Sequence, residues 1–319
     1  MEIAQAIKQL QGGAVIAIPT ETVYGLAADA TNKQAIEKIF QLKQRPADNP
    51  LIVHVGNRDN IETYAYIQDP IAEIIIQKLM PGPITILLPK RDNIPNVVTA
   101  GSDLVAIRIP QHPIALEILQ KSWLALAAPS ANISGKPSPT NVAMVQQNFG
   151  AAIDIIDGGD CNIWIESTVV QVQWDTILIH RPWFITPEDI STVVWSEISV
   201  LYSATQANIS PGVKYKHYAP KAQIHLLEWG SGLPVNSPKI GLIVTDERLV
   251  NNRCNIDQCA YRIYCWGSHD NLLECTQRLY NLYHQADRDN ISDIYVEALP
   301  EENGIAYAIM NRVKKSLLD

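Results

Sequence analysis

Residues 14–26 read Ala14-Val15-Ile16-Ala17-Ile18-Pro19-Thr20-Glu21-Thr22-Val23-Tyr24-Gly25-Leu26: five apolar residues closed by a proline, then a polar cluster ending at a glycine. A short apolar run bounded by Pro19 has the pattern of a buried strand. Polar residues directly after it stand at the strand end, where α/β folds place ligands. The arrangement recurs along the chain. Lys43-Gln44-Arg45-Pro46 and Asn49-Pro50 lead into a strand at 51–55 that carries His54. A strand at 124–128 runs into Pro129-Ser130-Ala131-Asn132-Ile133-Ser134-Gly135, and Glu166-Ser167-Thr168 opens a strand that leads on to Arg181.

Between these strands the period changes to 3.6. Ala35, Ile36, Ile39, Phe40 and Lys43 are helically spaced behind Asn32 as a cap, and 69–80 reads as a helix stopped by Pro81-Gly82-Pro83. Further strands are expected at 84–88, 104–109, 153–156, 168–173 and 177–181, with a helix at 140–148. Strands outnumber helices and do not alternate strictly with them, which predicts a twisted, mixed α/β sheet over residues 1–190. Residues 191–221 lack clear periodicity and read as a linker. From 222 to 319 the pattern becomes regular β-α alternation, with strands at 223–228, 239–245, 261–265 and 293–297 and helices at 269–286 and 303–318. That is the pattern of a small, Rossmann-like parallel α/β domain.

The chain has 319 residues, 47% of them hydrophobic and 18% charged, as expected of a folded two-domain protein. No run of 18 apolar residues occurs, and Met1-Glu2-Ile3-Ala4-Gln5 does not open a secretory signal, so a soluble cytoplasmic protein is expected. Twenty-five Lys and Arg face 33 Asp and Glu, a net charge of −8. Residues 1–190 hold 13 basic and 19 acidic side chains, and the remainder 12 and 14. Neither part suits avid, non-specific nucleic-acid binding, which depends on neutralising many phosphates. Five cysteines without a C-x-x-C pair support neither a zinc site nor a disulfide framework.

The common nucleotide and hydrolase signatures are absent. The nearest approach to a P-loop, Ser130–Pro137, lacks the leading glycine and has Pro137 after Lys136. Taken singly, the polar strand-end residues have ordinary explanations. Lys43 and Arg45 either complement a helix C-terminus or bind an anion. His54 reads as a hydrogen-bonded core histidine, and Thr22, Ser130, Asn132 and Ser167 as turn formers. Arg108, between Ile107 and Ile109, needs a partner, either a bound carboxylate or an internal Asp or Glu.

Taken together they are far more specific. Pro19–Leu26, Lys43-x-Arg45-Pro46 with Asn49-Pro50-Leu51, Pro81-Gly82-Pro83, Ile107-Arg108-Ile109-Pro110, Ser130-x-Asn132 and Glu166-Ser167-Thr168-Val169 resemble the YrdC-like domain of threonylcarbamoyl-AMP synthases across nearly all of residues 1–190. Ser210–Pro220, containing Lys214-Tyr215-Lys216-His217-Tyr218, is similar to the linker of that family's two-domain type, with Val213 and Lys216 where relatives often have Met and Arg.

The resemblance implies a twisted sheet with an open concave site. It also implies synthesis of L-threonylcarbamoyl-adenylate from L-threonine, bicarbonate or CO2, and ATP with release of pyrophosphate. Other proteins then transfer the threonylcarbamoyl group to tRNA; whether this chain touches tRNA directly stays open. Lys43, Arg45, Ser130 and Asn132 map to the catalytic tetrad. Thr22, His54, Arg108, Ala128 and Ser167 map to the threonine contacts. Arg45, Asn49, Ser130, Ser138, Arg181 and Tyr218 map to the ATP contacts, with Tyr218 on a linker that would act as a lid. Mg²⁺ is expected with ATP, held chiefly by the phosphates, and no organic cofactor or dedicated metal site is expected. Two other readings are an RNA-binding or ribosome-associated factor, and a carbamoyl-adenylate synthase acting on another acceptor. The latter's zinc fingers and acylphosphatase-like module have no counterpart in this sequence.

Overall fold

The computed structural model describes residues 1–163, 166–203, 219–228, 231, 234, 237–256, 260–301 and 304–317, without the side chains of 252–256. The chain forms two compact units, Met1–Ser134 with Ser138–Tyr215 and Gly135–Pro137 with Lys216–Asp319.

The first unit is built on ten strands: β1 (Ile16–Ile18), β2 (Gly25–Asp29), β3 (Ile52–His54), β4 (Ile84–Pro89), β5 (Leu104–Arg108), β6 (Leu126–Ala127), β7 (Asp154–Ile155), β8 (Thr168–Gln173), β9 (Thr176–Arg181) and β10 (Ser199–Tyr202). They lie in the order β10-β9-β8-β4-β5-β3-β6-β2-β1-β7. Pairing is mixed: β3 with β5, β4 with β8 and β9 with β10 are parallel, whereas β4 with β5, β8 with β9 and β2 with its neighbours β1 and β6 are antiparallel. This is the mixed sheet the sequence predicts.

Period-2 alternation divides the central strands between two faces. Val53, Ile84, Ile86, Val105, Ile107 and Val170 join the main core with helices Lys33–Lys43 and Pro70–Leu79. Ile52, Leu87, Ala106 and Val169 form a small apolar cluster of their own. His54, Thr85, Arg108 and Ser167 each lie two residues from a member of that cluster, so the strands carry all four polar side chains onto its face.

Local signals set the helix starts. The Asn32 side chain accepts from the Ala35 amide, and Asp69 caps the helix at Pro70–Leu79 by accepting from the Ile71 amide. The segment 191–221, expected to lack regular structure, includes the end of helix Pro187–Val193 and all of β10. Thr186 and Asp189 form a reciprocal capping box around Pro187, which starts that helix, and β10 pairs along the whole of β9's first four residues. Helix Pro113–Ser122 and strand β2 are further elements the sequence reading does not assign.

The second unit contains β11 (Gln223–Leu227), β12 (Ile240–Val244), β13 (Arg262–Cys265) and β14 (Asp293–Glu297) in the order β11-β14-β12-β13, every pair parallel. Helices Leu272–Arg288 and Gly304–Leu317 accompany this sheet. The fully buried Glu297 carboxylate accepts from the Thr245 amide and hydroxyl at the end of the neighbouring strand.

The Asn32 cap is directly testable. Asn32→Ala should lower the unfolding free energy by about 1 kcal/mol, read as a shifted urea midpoint with an unchanged slope, and Asn32→Asp should restore most of the loss.

Candidate active site

The polar band begins at Arg108, the last residue of β5, which lies beside His54 in the parallel pairing with β3. Arg108 is 4% exposed, and its guanidinium reaches three residues in two segments. Nε donates to the Gly82 carbonyl at 3.2 Å, Nη1 donates to Thr22 Oγ1 at 3.0 Å, and Nη2 lies 2.6 Å from Glu21 Oε1. Of the two partners the sequence leaves open for Arg108, an internal carboxylate is the one present in the folded chain.

The Thr20–Val23 turn fixes where protons lie. The Thr20 hydroxyl donates to the Val23 carbonyl at 2.7 Å, so in the 2.8 Å contact between the two threonine hydroxyls Thr22 is the donor. Thr22 Oγ1 accepts from Arg108 and keeps one lone pair, which suits it to receive a hydroxyl proton rather than give one. His54 is buried, and burial followed by the Arg108 charge pulls its imidazole down to about 3. It is therefore a neutral ring at any physiological pH.

On the other side of Arg108, Ser167 Oγ is 2.6 Å from Thr85 Oγ1 and accepts from Arg181 Nη2 at 3.0 Å, while Arg181 Nε donates to the Ser167 carbonyl. Arg181 reaches this face through an irregularity. Val170 pairs with Ile179 but Val169 pairs with Arg181, so His180 is the extra residue of a β-bulge. Ile177 and Ile179 point into the main core, and unbroken alternation would send Arg181 there too. The bulge turns it to the opposite face.

The second group of residues is held by Lys43. Its Nζ, in a side chain 1% exposed, donates to the Ser130 carbonyl (2.5 Å), the Asn132 carbonyl (2.7 Å) and Asn132 Oδ1 (3.5 Å), and the Ser134 amide donates back to the Lys43 carbonyl. Burial first, then the Arg45 charge, pushes this ammonium well below the usual lysine range, and Glu166 pulls the other way. Three acceptors match its three donors and favour the charged form. Arg45 donates to the Asn49 and Pro50 carbonyls and so shapes the turn holding the buried Asn49. Ser130 bridges to Gly25, where a Cβ would come 3.2 Å from the Ala128 methyl; the glycine permits this approach. Ala128 donates its amide to the Ile52 carbonyl.

Glu166 joins the two groups. It lies within electrostatic reach of Lys43, accepts from Ser138 Oγ at 2.6 Å and precedes Ser167. Because the one proton of Ser138 points to Glu166, Ser138 donates to a ligand only by exchanging that bond. Of the residues singled out from the sequence, Thr22, His54, Arg108, Ser167 and Arg181 thus gather on one face, and Lys43, Arg45, Asn49, Ser130, Asn132 and Ser138 in the adjoining loops. Tyr218 and the linker run 204–218 lie outside the described residues. Glu21, Thr85 and the Ser138–Glu166 pairing are absent from the sequence-based site. The signal for Glu21 was the unmet need of Arg108 for a partner.

A mixed-sheet domain with buried cations and hydroxyl groups at its strand ends, followed by a small parallel α/β unit, is the architecture for which the comparisons find relatives. Residues 8–182 match the family described as Telomere recombination, and residues 185–316 match that described as Threonylcarbamoyl-AMP synthase, C-terminal domain. The threonylcarbamoyl-AMP synthase of Pyrococcus abyssi is 37% identical over 317 residues, covering 96% of this chain and 91% of its own length. That of Bacillus subtilis is 38% identical over 329 residues, covering 99% and 92%. The crystal structure of P. abyssi Sua5 complexed with L-threonine superposes with a TM-score of 0.82 at 34% identity, covering 99% of this chain and 94% of that one. The chain belongs to the threonylcarbamoyl-AMP synthase family.

The His54 environment sets a pH dependence. An imidazole near 3 in the fold and 6.5 when unfolded means that the unfolded chain binds more protons between those values. Its contribution to stability is complete above about 6.5 and is lost as the pH falls toward 3. The stability gap between wild type and His54→Gln, measured by urea unfolding, should therefore shrink between pH 7.5 and pH 5.

Proposed function

We propose that this chain makes L-threonylcarbamoyl-adenylate from L-threonine, bicarbonate or CO2, and ATP, releasing pyrophosphate, as the first step of threonylcarbamoyladenosine formation in tRNA. The observation that carries the reading is the joining, through Glu166, of a cationic loop group around Lys43 to a strand face that presents Arg108, His54, Thr22 and Ser167. One half suits phosphates and the other a small hydroxy amino acid, and family membership supports the pairing of these two substrates.

In the reaction the threonine amine becomes a carbamate, and a carbamate oxygen attacks the α-phosphorus of ATP. A new O–P bond forms as the bond to the bridging oxygen of the leaving pyrophosphate breaks. Both reactants are anionic, so positive charge that is already in place lowers their repulsion without reorganisation in the transition state. Lys43 and Arg45 supply that charge, and Ser130 and Asn132 add uncharged donors. Asn49, Ser138 and Arg181 complete the nucleotide contacts. The planar fork of Arg108 serves the threonine carboxylate, while the free lone pair of Thr22, His54, Ser167 and the Ala128 backbone surround the rest of the amino acid.

No covalent enzyme intermediate is needed, since holding two substrates in line supplies much of the rate. ATP enters as its Mg²⁺ complex, with the ion carried by the phosphates. Among the described residues, no group of three His, Cys, Asp or Glu side chains is placed to hold a metal. No described helix is long and apolar enough to cross a membrane. A reaction that consumes ATP and feeds tRNA modification belongs in the cytoplasm, with proteins that transfer the threonylcarbamoyl group as downstream partners.

Pyrophosphate release from Mg-ATP should require both threonine and bicarbonate, and mass spectrometry should find threonylcarbamoyl-adenylate; release with either omitted, or no release by folded protein, would refute the assignment. Arg108→Ala should raise the KM for threonine at least tenfold more than the KM for ATP, because one charge-assisted carboxylate contact contributes about 1.5–3 kcal/mol. Equal changes in both constants would remove Arg108 from the amino-acid half of the site.

A further inference from the structure

Glu21 has an unusual environment for a buried carboxylate. Its side chain is 5% exposed, yet neither oxygen accepts a hydrogen bond from a described residue. Arg108 Nη2 approaches Oε1 to 2.6 Å, but out of line for a hydrogen bond, and Nη2 itself has no other hydrogen-bond partner among the described residues. An ionised carboxylate offers about four acceptor positions, and leaving them unfilled away from water is costly. Arg108 is in the complementary position. Its Nε–H and one Nη1–H are engaged by Gly82 and Thr22, which leaves the other Nη1–H and both Nη2–H groups without aligned acceptors. An open anion and an open donor fork thus stand side by side, held by two short segments of the same face.

We propose that Glu21 and Arg108 form a zwitterion reader, in which Glu21 takes the α-ammonium of the amino-acid substrate while Arg108 takes its carboxylate. The inference rests on the functional reading above and makes Glu21 a specificity-determining residue. A pairing that served only to neutralise Arg108 would gain most from two aligned, parallel hydrogen bonds, and that geometry is not adopted. The exchange of partners is also electrically even. A neutral pair of opposite charges receives a ligand that is itself a neutral pair, so no net charge is buried on binding. When the amine is carboxylated its nitrogen keeps one N–H, which still donates to Glu21.

The test deletes the amine from the ligand and the charge from the protein. L-threonine and its deamino analogue, (R)-3-hydroxybutanoate, are titrated by calorimetry into wild-type protein and Glu21→Gln. Wild type should bind threonine at least tenfold tighter than the analogue. Glu21→Gln should bring the two within about threefold, mainly by weakening threonine, with the analogue's affinity unchanged or improved. Equal weakening of both ligands would show that Glu21 only supports Arg108. An undiminished preference in the variant, or no preference in wild type, would likewise overturn the proposal. Glu21→Asp, which keeps the charge but shortens its reach, should retain part of the preference and provides the comparison if the Gln variant does not fold. Threonine-dependent pyrophosphate release by wild type is measured on the same preparation. Its absence would refute the functional reading itself, whereas its presence beside an undiminished preference in the variant would refute the reader alone.

Discussion

A guanidinium buried at the end of a strand must be met from several directions, and that requirement organises the amino-acid half of this protein. Arg108 draws the Gly82 carbonyl, the Thr22 hydroxyl and the Glu21 carboxylate toward one point, although these belong to two loops far apart in sequence. The Thr20–Val23 turn is then fixed by its own hydroxyl bonds, and His54 is kept neutral by burial and by the adjacent positive charge. Removing the guanidinium would leave the buried Glu21 carboxylate without its ion-pair partner.

Lys43 plays the corresponding part for the loop group, by a different means. Its ammonium is met by backbone carbonyls as well as a side-chain amide, so it sets the path of the Ser130–Asn132 segment while keeping its charge beside it. A cation anchored in this way undergoes little reorganisation when an anion arrives. Glu166 lies between the two groups and is tied to both through Ser138, Ser167 and the field at Lys43.

Much of this was legible in the sequence because its signals are local. Asn32 and Asp69 cap the helices whose starts they mark, and the polar clusters do stand at strand ends. What escaped depends on tertiary context. Gly25–Asp29 has weak strand propensity and becomes β2 because β1 and β6 flank it. Pro113–Ser122 is an apolar run broken by one glutamate near its centre, which suits a strand or a helix equally until its neighbours decide. The capping box at Thr186 was readable, and it corrects the expectation of an irregular segment there. Glu21 was visible as a polar residue in the opening motif, but its meeting with Arg108 depends on how β5 is placed in the sheet.

The bulge at His180 makes the backbone path of β9 matter as much as the identity of its residues. Arg181 reaches the site face only because His180 is taken up as an extra residue, so pairing every residue of the strand regularly at the same length would carry a guanidinium into the apolar core. Losing His180 would remove the bulge and still leave the guanidinium on the site face, one residue after the core-facing Ile179. Over evolutionary time a bulged strand and one a residue shorter are therefore interchangeable at this position, because both present the same charge to the same face.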